Sequence, residues 1–434
     1  MNILSSGHDK LELTFLMALS AAIFLLISSM SAAYAHNTDP NTNATYRDQA
    51  KRMHDRLTGV PPTEEALNVM ANYIDPTVDG TASGGTNPGA DAVAAALYAI
   101  TPNSDPAVGN PRGKYFYNVT LKNWITPWTN VEQTQFAPLN DYTALVIGMI
   151  RDDKPFNTVL SANLFYTGNV SQIQNDLGVS VAPFTNNSNQ HFEDLEDNDV
   201  DLSNPNYLQE QPQNGLNGLA AGVVTTRAAG EAFFSAGTNR RMFRFTLINY
   251  MCRDLEDVKD VTRVPDRIRQ DVSRSPGGDS SIFLNSCIGC HSGMDPMAQA
   301  YAYYEWDEAL GRIVYTAENV QAKYHINSTN FEYGYRTPND NWTNYWREGP
   351  NAGLGWSGPN GSGTGAASMG QELANSEAFA QCQVEKVYKQ VCLQDPISNH
   401  NTDIQSLTSR FMGGDINYKM KDLFAEVAAL CMGN

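Results

Sequence analysis

Basic residues are scarce in this 434-residue chain: 29 Lys and Arg stand against 47 Asp and Glu, a formal net charge of −18 at pH 7. A field of that sign repels phosphate backbones, so nucleic acid is excluded as a default partner. Cysteine is scarce as well. Six in 434 residues cannot staple a disulfide scaffold, yet they suffice for two bridges and one two-thiol site. Beyond residues 13–30, no apolar run is long enough to span a bilayer. No solenoid-type repeat recurs, and no Ser/His/Asp or paired-carboxylate arrangement stands out. What is present is core-forming material. Hydrophobic residues at 41% and aromatics at 10% exclude wholesale disorder, and the length fits two or three domains.

The uncharged run Leu13 to Met30 precedes Ser31-Ala32-Ala33-Tyr34-Ala35. There, Ala33 and Ala35 make the small-x-small pattern that signal peptidase reads. Residues 1–35 are therefore expected to be a cleaved signal peptide, leaving His36 first. Left uncleaved, the same segment would be a membrane anchor. Export to the periplasm or beyond puts the cysteines where thiols oxidise.

Helical signals dominate the rest. A helix is expected over Tyr46 to Leu57 with Gly59 as its stop. Another follows Thr63 as N-cap, with Glu64 and Glu65 in the favourable first turn. Asp141 to Ile150 places Leu145, Val146, Met149 and Ile150 at helical spacing, and Pro155 opens a helix carrying Val159, Leu160 and Phe165. Arg240 to Cys252 has Phe243, Leu247 and Met251 on one face. The polar stretch Asn169 to Gln213 reads as loop. Its Asp197, Asp199 and Asp201 alternate like the start of a calcium loop, but Leu202 and Leu208 stand where Gly and Glu are required. Gly353 to Gly370 reads as a surface loop before a helix over Gln371 to Val391.

One motif is chemically explicit. Cys287-Ile288-Gly289-Cys290-His291 is C-x-x-C-H, the attachment signature of a c-type haem. Two thiols one helical turn apart can add across the two vinyl groups of one porphyrin, and the next imidazole then lies over the iron. Pro276-Gly277-Gly278 is turn chemistry, Asp279 or Ser280 can cap a short helix into the motif, and Phe283 lies four residues before Cys287 on the face toward the porphyrin edge. A structural disulfide, a thioredoxin-like redox pair and half a zinc site use similar spacing. No second Cys/His pair at zinc spacing and no βαβ pattern accompanies this one.

The stretch Cys287 to Arg312, CIGCHSGMDPMAQAYAYYEWDEALGR, resembles the C-x-x-C-H…M-D-P…(aromatic)…D…G-R region of planctomycete-type c-type cytochromes, secreted proteins of largely unknown function. LTGVPPT from Leu57, DDKPFNTVLSANLFYTG from Asp152, RRMFRFTLINYMC from Arg240 and LANSEAFAQCQVEKVYKQV from Leu373 match in the same order. The chain departs from the pattern after Cys252, where Arg253-Asp254-Leu255-Glu256-Asp257 replaces a run of prolines. The resemblance implies a mainly α fold. Residues 36–270 would form a helical domain, and residues 271–434 a cytochrome c-like helical haem domain with long loops, carrying one covalent haem c.

By the same likeness Met369, 78 residues after His291 and just before the expected C-terminal helix, is the candidate sixth ligand, with His325 as the alternative. Met294 and Met297 are expected as haem-pocket walls. The proximal imidazole usually donates its second N–H to a backbone carbonyl, here assigned to Pro296. Arg312 is expected to neutralise a haem propionate, and Tyr303, Tyr304 and Trp306 to line the crevice. Four cysteines remain. A bond between Cys382 and Cys392 is forbidden if the ten residues between them are continuous helix. Cys252 and Cys382 both fall in family-like segments, which favours Cys252–Cys382 with Cys392–Cys431. The expected function is electron transfer with a redox partner whose docking face is basic. The alternatives are a haem enzyme with an open distal site, or a structural subunit of a surface complex. Membrane contact is expected only if the signal segment stays uncleaved.

Overall fold

Local signals place the first helices. Gly59 adopts a left-handed φ of +73° just past α1 (Tyr46–Thr58), a conformation suited to a residue without a Cβ. Thr63 accepts a hydrogen bond from the Ala66 N–H at 3.1 Å and starts α2 (Glu64–Ile74), as N-cap chemistry requires. The structure is a computed structural model describing residues 45–76, 78, 91–213, 219–235, 239–269, 280–325 and 334–433. The expected signal peptide (1–35) and the turn and cap at Pro276 to Asp279 lie outside those residues.

Further helices are α3 (Ala92–Ile100), α4 (Asp141–Arg151), α5 (Val170–Leu177), α6 (Gln190–Asp197), α7 (Asn239–Met251) and α8 (Ile288–Ala298). They are followed by α9 (Gly365–Ala374), α10 (Glu377–Cys392), α11 (Asn401–Gly413) and α12 (Met420–Leu430). Strands occur as antiparallel pairs: β1 (Phe165–Gly168) with β2 (Leu208–Gln211), β3 (Tyr304–Asp307) with β4 (Arg312–Tyr315), and β5 (Asn341–Thr343) with β6 (Ser362–Thr364). The fold is mainly α, as expected.

The apolar faces explain the packing. α1, α2 and α3 pack on one another, and α1 and α3 pack on α12; α10 packs on α7, α11 and α12, and α7 on α8. Residues Tyr46–Met432 form one unit, and a single apolar cluster takes in Ala50, Leu145, Phe243, Met297 and Phe424, so it runs across position 270. Two disulfides cross-link it, Cys252–Cys382 with Cα atoms 5.3 Å apart and Cys392–Cys431 with Cα atoms 5.4 Å apart. This is the expected pairing.

Three local expectations are corrected. After Pro155 there is a short 3₁₀ turn, Phe156–Thr158, and Phe165 enters β1. The Val159 and Ala162 carbonyls are occupied by the N–H groups of Val223 (3.0 Å) and Gly222 (2.9 Å), so they cannot serve a helix. The polar stretch at 169–213 contains α5 and α6, because His191, Phe192 and Leu195 give α6 a buried face that its acidic composition conceals. The expected helix over 371–391 starts earlier and breaks: α9 begins at Gly365, and Ser376 caps α10 by accepting from the Phe379 N–H at 3.3 Å. Met369 thus lies inside a helix rather than on a loop.

Candidate functional site

Phe283–Cys287 forms a wide π-type turn that runs directly into α8. Cys287 stands at the N-cap position of α8, with Cys290 and His291 in its first turn. Neither thiol is in a disulfide, and both are half-buried. The Cys290 Sγ lies 3.6 Å from the Leu255 carbonyl. Burial pushes its thiol above the usual range, and the nearby Glu256 carboxylate adds to this.

His291 is fixed from within its own helix. Its Nδ1 lies 3.0 Å from Asp295 Oδ1, one turn ahead. Asp295 in turn accepts two bonds from Arg240 on α7, from Nε at 2.8 Å and Nη2 at 3.0 Å. Burial alone would raise the Asp295 carboxyl, but the Arg240 charge and then His291 outweigh it and hold it well below the usual carboxylate range. The partner of the imidazole is therefore this carboxylate and not the carbonyl of Pro296, which sits buried inside α8. Side chains at i and i+4 share a helix face, so His291 reaches Asp295 without any backbone adjustment. Among the described residues Nε2 of His291 has no hydrogen-bond partner, which leaves its lone pair available to an iron.

Close approaches seat α8. A Cβ on Gly293 would lie 2.3 Å from the Trp346 indole nitrogen, so the ring rests against bare backbone there. On another side the 255–261 segment crosses the motif. The Asp260 N–H donates to the Gly289 carbonyl at 2.9 Å, and the Ser292 hydroxyl donates to the Asp260 carbonyl at 3.0 Å. A Cβ on Gly289 would come within 3.1 Å of Lys259 Cβ and 3.3 Å of a Val261 methyl.

Apolar side chains pack beside Cys287. Phe283 is buried with Ile268 and Ile288 in a small cluster of its own, against which Cys287 packs. Just before the motif Leu284 is 56% exposed and Ile282 37%, and Val261, whose methyl faces Gly289, is 68% exposed. Met294 and Met297 instead join the main core. Two free thiols a turn apart, an imidazole with its Nε2 open and uncovered apolar side chains beside them fit a covalently held haem.

The other expected site residues sit on other elements. Arg312 opens β4 opposite Asp307. The hairpin packs on the Gly230–Phe234 turn, and its Gly311 comes close to the Asn187 carbonyl. Within the same hairpin region Tyr304 donates to the Leu219 carbonyl at 2.6 Å, Arg227 lies over Trp306 at 5.8 Å, and Tyr303 packs edge-on to Tyr315. Met369 is enclosed in the main core, on a helix that packs against Phe156–Thr158, Gln299–Tyr301, β5 and β6. His325 ends the Ala322–His325 turn. Asp295 and Arg240 are the residues that sequence reasoning missed. The four-residue spacing from His291 to Asp295 was a readable signal, whereas nothing local pointed to Arg240.

Among the described residues no group of three or more His, Cys, Asp and Glu side chains is arranged to hold a bare metal ion. No family model, curated protein or solved structure matches this chain.

Proposed function

We propose that this protein is an exported c-type cytochrome that holds one covalent haem at Cys287, Cys290 and His291 and works in periplasmic or extracellular electron transfer. One observation carries the reading. Four of the six cysteines are paired in disulfides, and the two left reduced are those of the C-x-x-C-H motif, beside an imidazole whose Nδ1 is already engaged. The disulfides are compatible with an oxidising compartment. No helix among the described residues is long and apolar enough to cross a membrane.

The chain's own residues divide the work. Cys287 and Cys290 would each form a thioether to a vinyl group, and His291 would present Nε2 to the iron. Phe283, Ile268 and Ile288 would keep water from the edge beside Cys287. By the resemblance, Met369 would be a second ligand to the iron and Arg312 would pair with a propionate. A bound haem would supply a one-electron Fe(III)/Fe(II) couple. The chain's net charge of −18 favours a redox partner with a basic docking face, whose approach would slow as salt is added.

The test is expression with a c-type haem maturation system in an exporting host. One haem per chain that survives denaturation and appears in the pyridine haemochrome is expected, and Cys287→Ser with Cys290→Ser abolishes it. A wild-type chain without covalent haem overturns the reading. Loss of the ferric Met-to-iron charge-transfer band in Met369→Ala would assign the sixth ligand.

A further inference from the structure

We infer that Asp295 is a positioning residue that acts through His291 to keep the reduction potential of the haem low, and that Arg240 sets how strongly it does so. The inference rests on the haem attachment proposed above and concerns what tunes it. A backbone carbonyl accepting from a proximal imidazole leaves the ring neutral. A carboxylate at the same place draws the Nδ1 proton toward itself and makes the opposite nitrogen a stronger electron donor, which favours ferric over ferrous iron. Here the acceptor is the carboxylate, at 3.0 Å, on a side chain that is fully enclosed. Enclosure strengthens the interaction, because water does not screen it.

Arg240 makes the device adjustable. Its Nε sits 2.8 Å from Oδ1, the same oxygen that accepts from His291. The guanidinium and the imidazole therefore compete for one acceptor. Arg240 draws electron density from Oδ1 and moderates its pull on Nδ1, while a second bond to Oδ2 at 3.0 Å keeps the carboxylate turned correctly. The arrangement joins two helices: Asp295 and His291 belong to α8, and Arg240 to the first turn of α7. A merely structural ion pair would need neither the shared oxygen nor the imidazole on it.

The two partners thus have opposite predicted effects. In the full-length haem-loaded protein, Asp295→Asn removes the charge with little change of shape and moves the Fe(III)/Fe(II) ratio at fixed ambient potential about tenfold toward ferrous, an upward shift of about 59 mV for one electron. Arg240→Gln frees Oδ1 and moves the ratio the other way. In the Met369→Ala background, which leaves the second axial site open, the carbon monoxide stretch of the ferrous adduct rises in Asp295→Asn and falls in Arg240→Gln, which reports the donor strength of the imidazole. Haem content is measured first by pyridine haemochrome. Full haem content with an unchanged potential in Asp295→Asn overturns this inference and leaves the cytochrome reading standing, as does a shift of both variants in one direction. If Asp295→Asn does not fold, Arg240→Gln alone decides by the sign of its shift. A wild type lacking haem overturns both readings.

Discussion

Around Cys382 and Cys392 the chain closes over its own apolar groups. Phe379, Val384, Val387, Tyr388 and Val391 of α10 are all fully enclosed, and each of the two disulfides has one sulfur on that helix. Around Cys287 and Cys290 the opposite holds, with reduced thiols and with Val261, Ile282 and Leu284 left facing solvent. The same six-cysteine chain thus contains a helix closed over by its own packing and a motif that leaves two thiols reduced with exposed apolar side chains nearby. Exposed apolar groups beside the two thiols are what the proposed haem would cover.

Cysteine replacements break the comparison most directly. Cys252→Ser with Cys382→Ser opens a loop of 130 residues and is expected to cost about 5 kcal/mol by loop-entropy reasoning. Cys392→Ser with Cys431→Ser opens one of 39 and costs about 4 kcal/mol. Urea unfolding of the haem-free chain checks both.

Acid sharpens the contrast next, through Asp295. Its folded-state carboxyl is held below the usual range, so its contribution is fully present above the unfolded carboxylate value of about 3.9 and is lost as pH falls from there toward the depressed value. Asp295→Asn is expected to be less stable than wild type at neutral pH and to lose less on acidification below about pH 4. Parallel acid curves for the two proteins would refute this.

Gly293→Ala tests how tightly α8 is seated. With Trp346 at 2.3 Å from the new methyl, an overpacking cost of about 1–3 kcal/mol is expected, together with a change in the fluorescence of the buried indole. The smallest effect belongs to the motif itself. Cys287→Ser with Cys290→Ser should leave the stability of the haem-free chain within about 0.5 kcal/mol, while Leu284→Ser lowers its binding of a hydrophobic dye. A cost from the motif cysteines as large as from the bridged ones would erase the distinction between the two regions.

The motif was legible in the sequence because five adjacent residues carry it, and a helix brings such neighbours together unaided. The Thr63 cap, the Gly59 stop and α7 were legible for the same reason, being set by contacts within a few positions. The helix expected after Pro155 failed because the Val159 and Ala162 carbonyls bond to Val223 and Gly222, some sixty residues on. Arg312 was assigned by its place shortly after the motif. The structure sets it in a hairpin, in register with Asp307 and next to Gly311, whose backbone faces Asn187, a placement that only strand pairing decides.

By itself the sequence determined the class of fold, the pair of thiols set aside from four others and the single imidazole beside them, because helical periodicity and the spacing of the motif are properties of short segments. Only the tertiary structure decided what holds that imidazole. Asp295 lies one turn away on the same helix, but its ionised state depends on Arg240, 55 residues earlier, and on the exclusion of water from both. Such a charge pair exists only once α7 packs on α8, since burial and its compensation are properties of the assembled core and of no single segment.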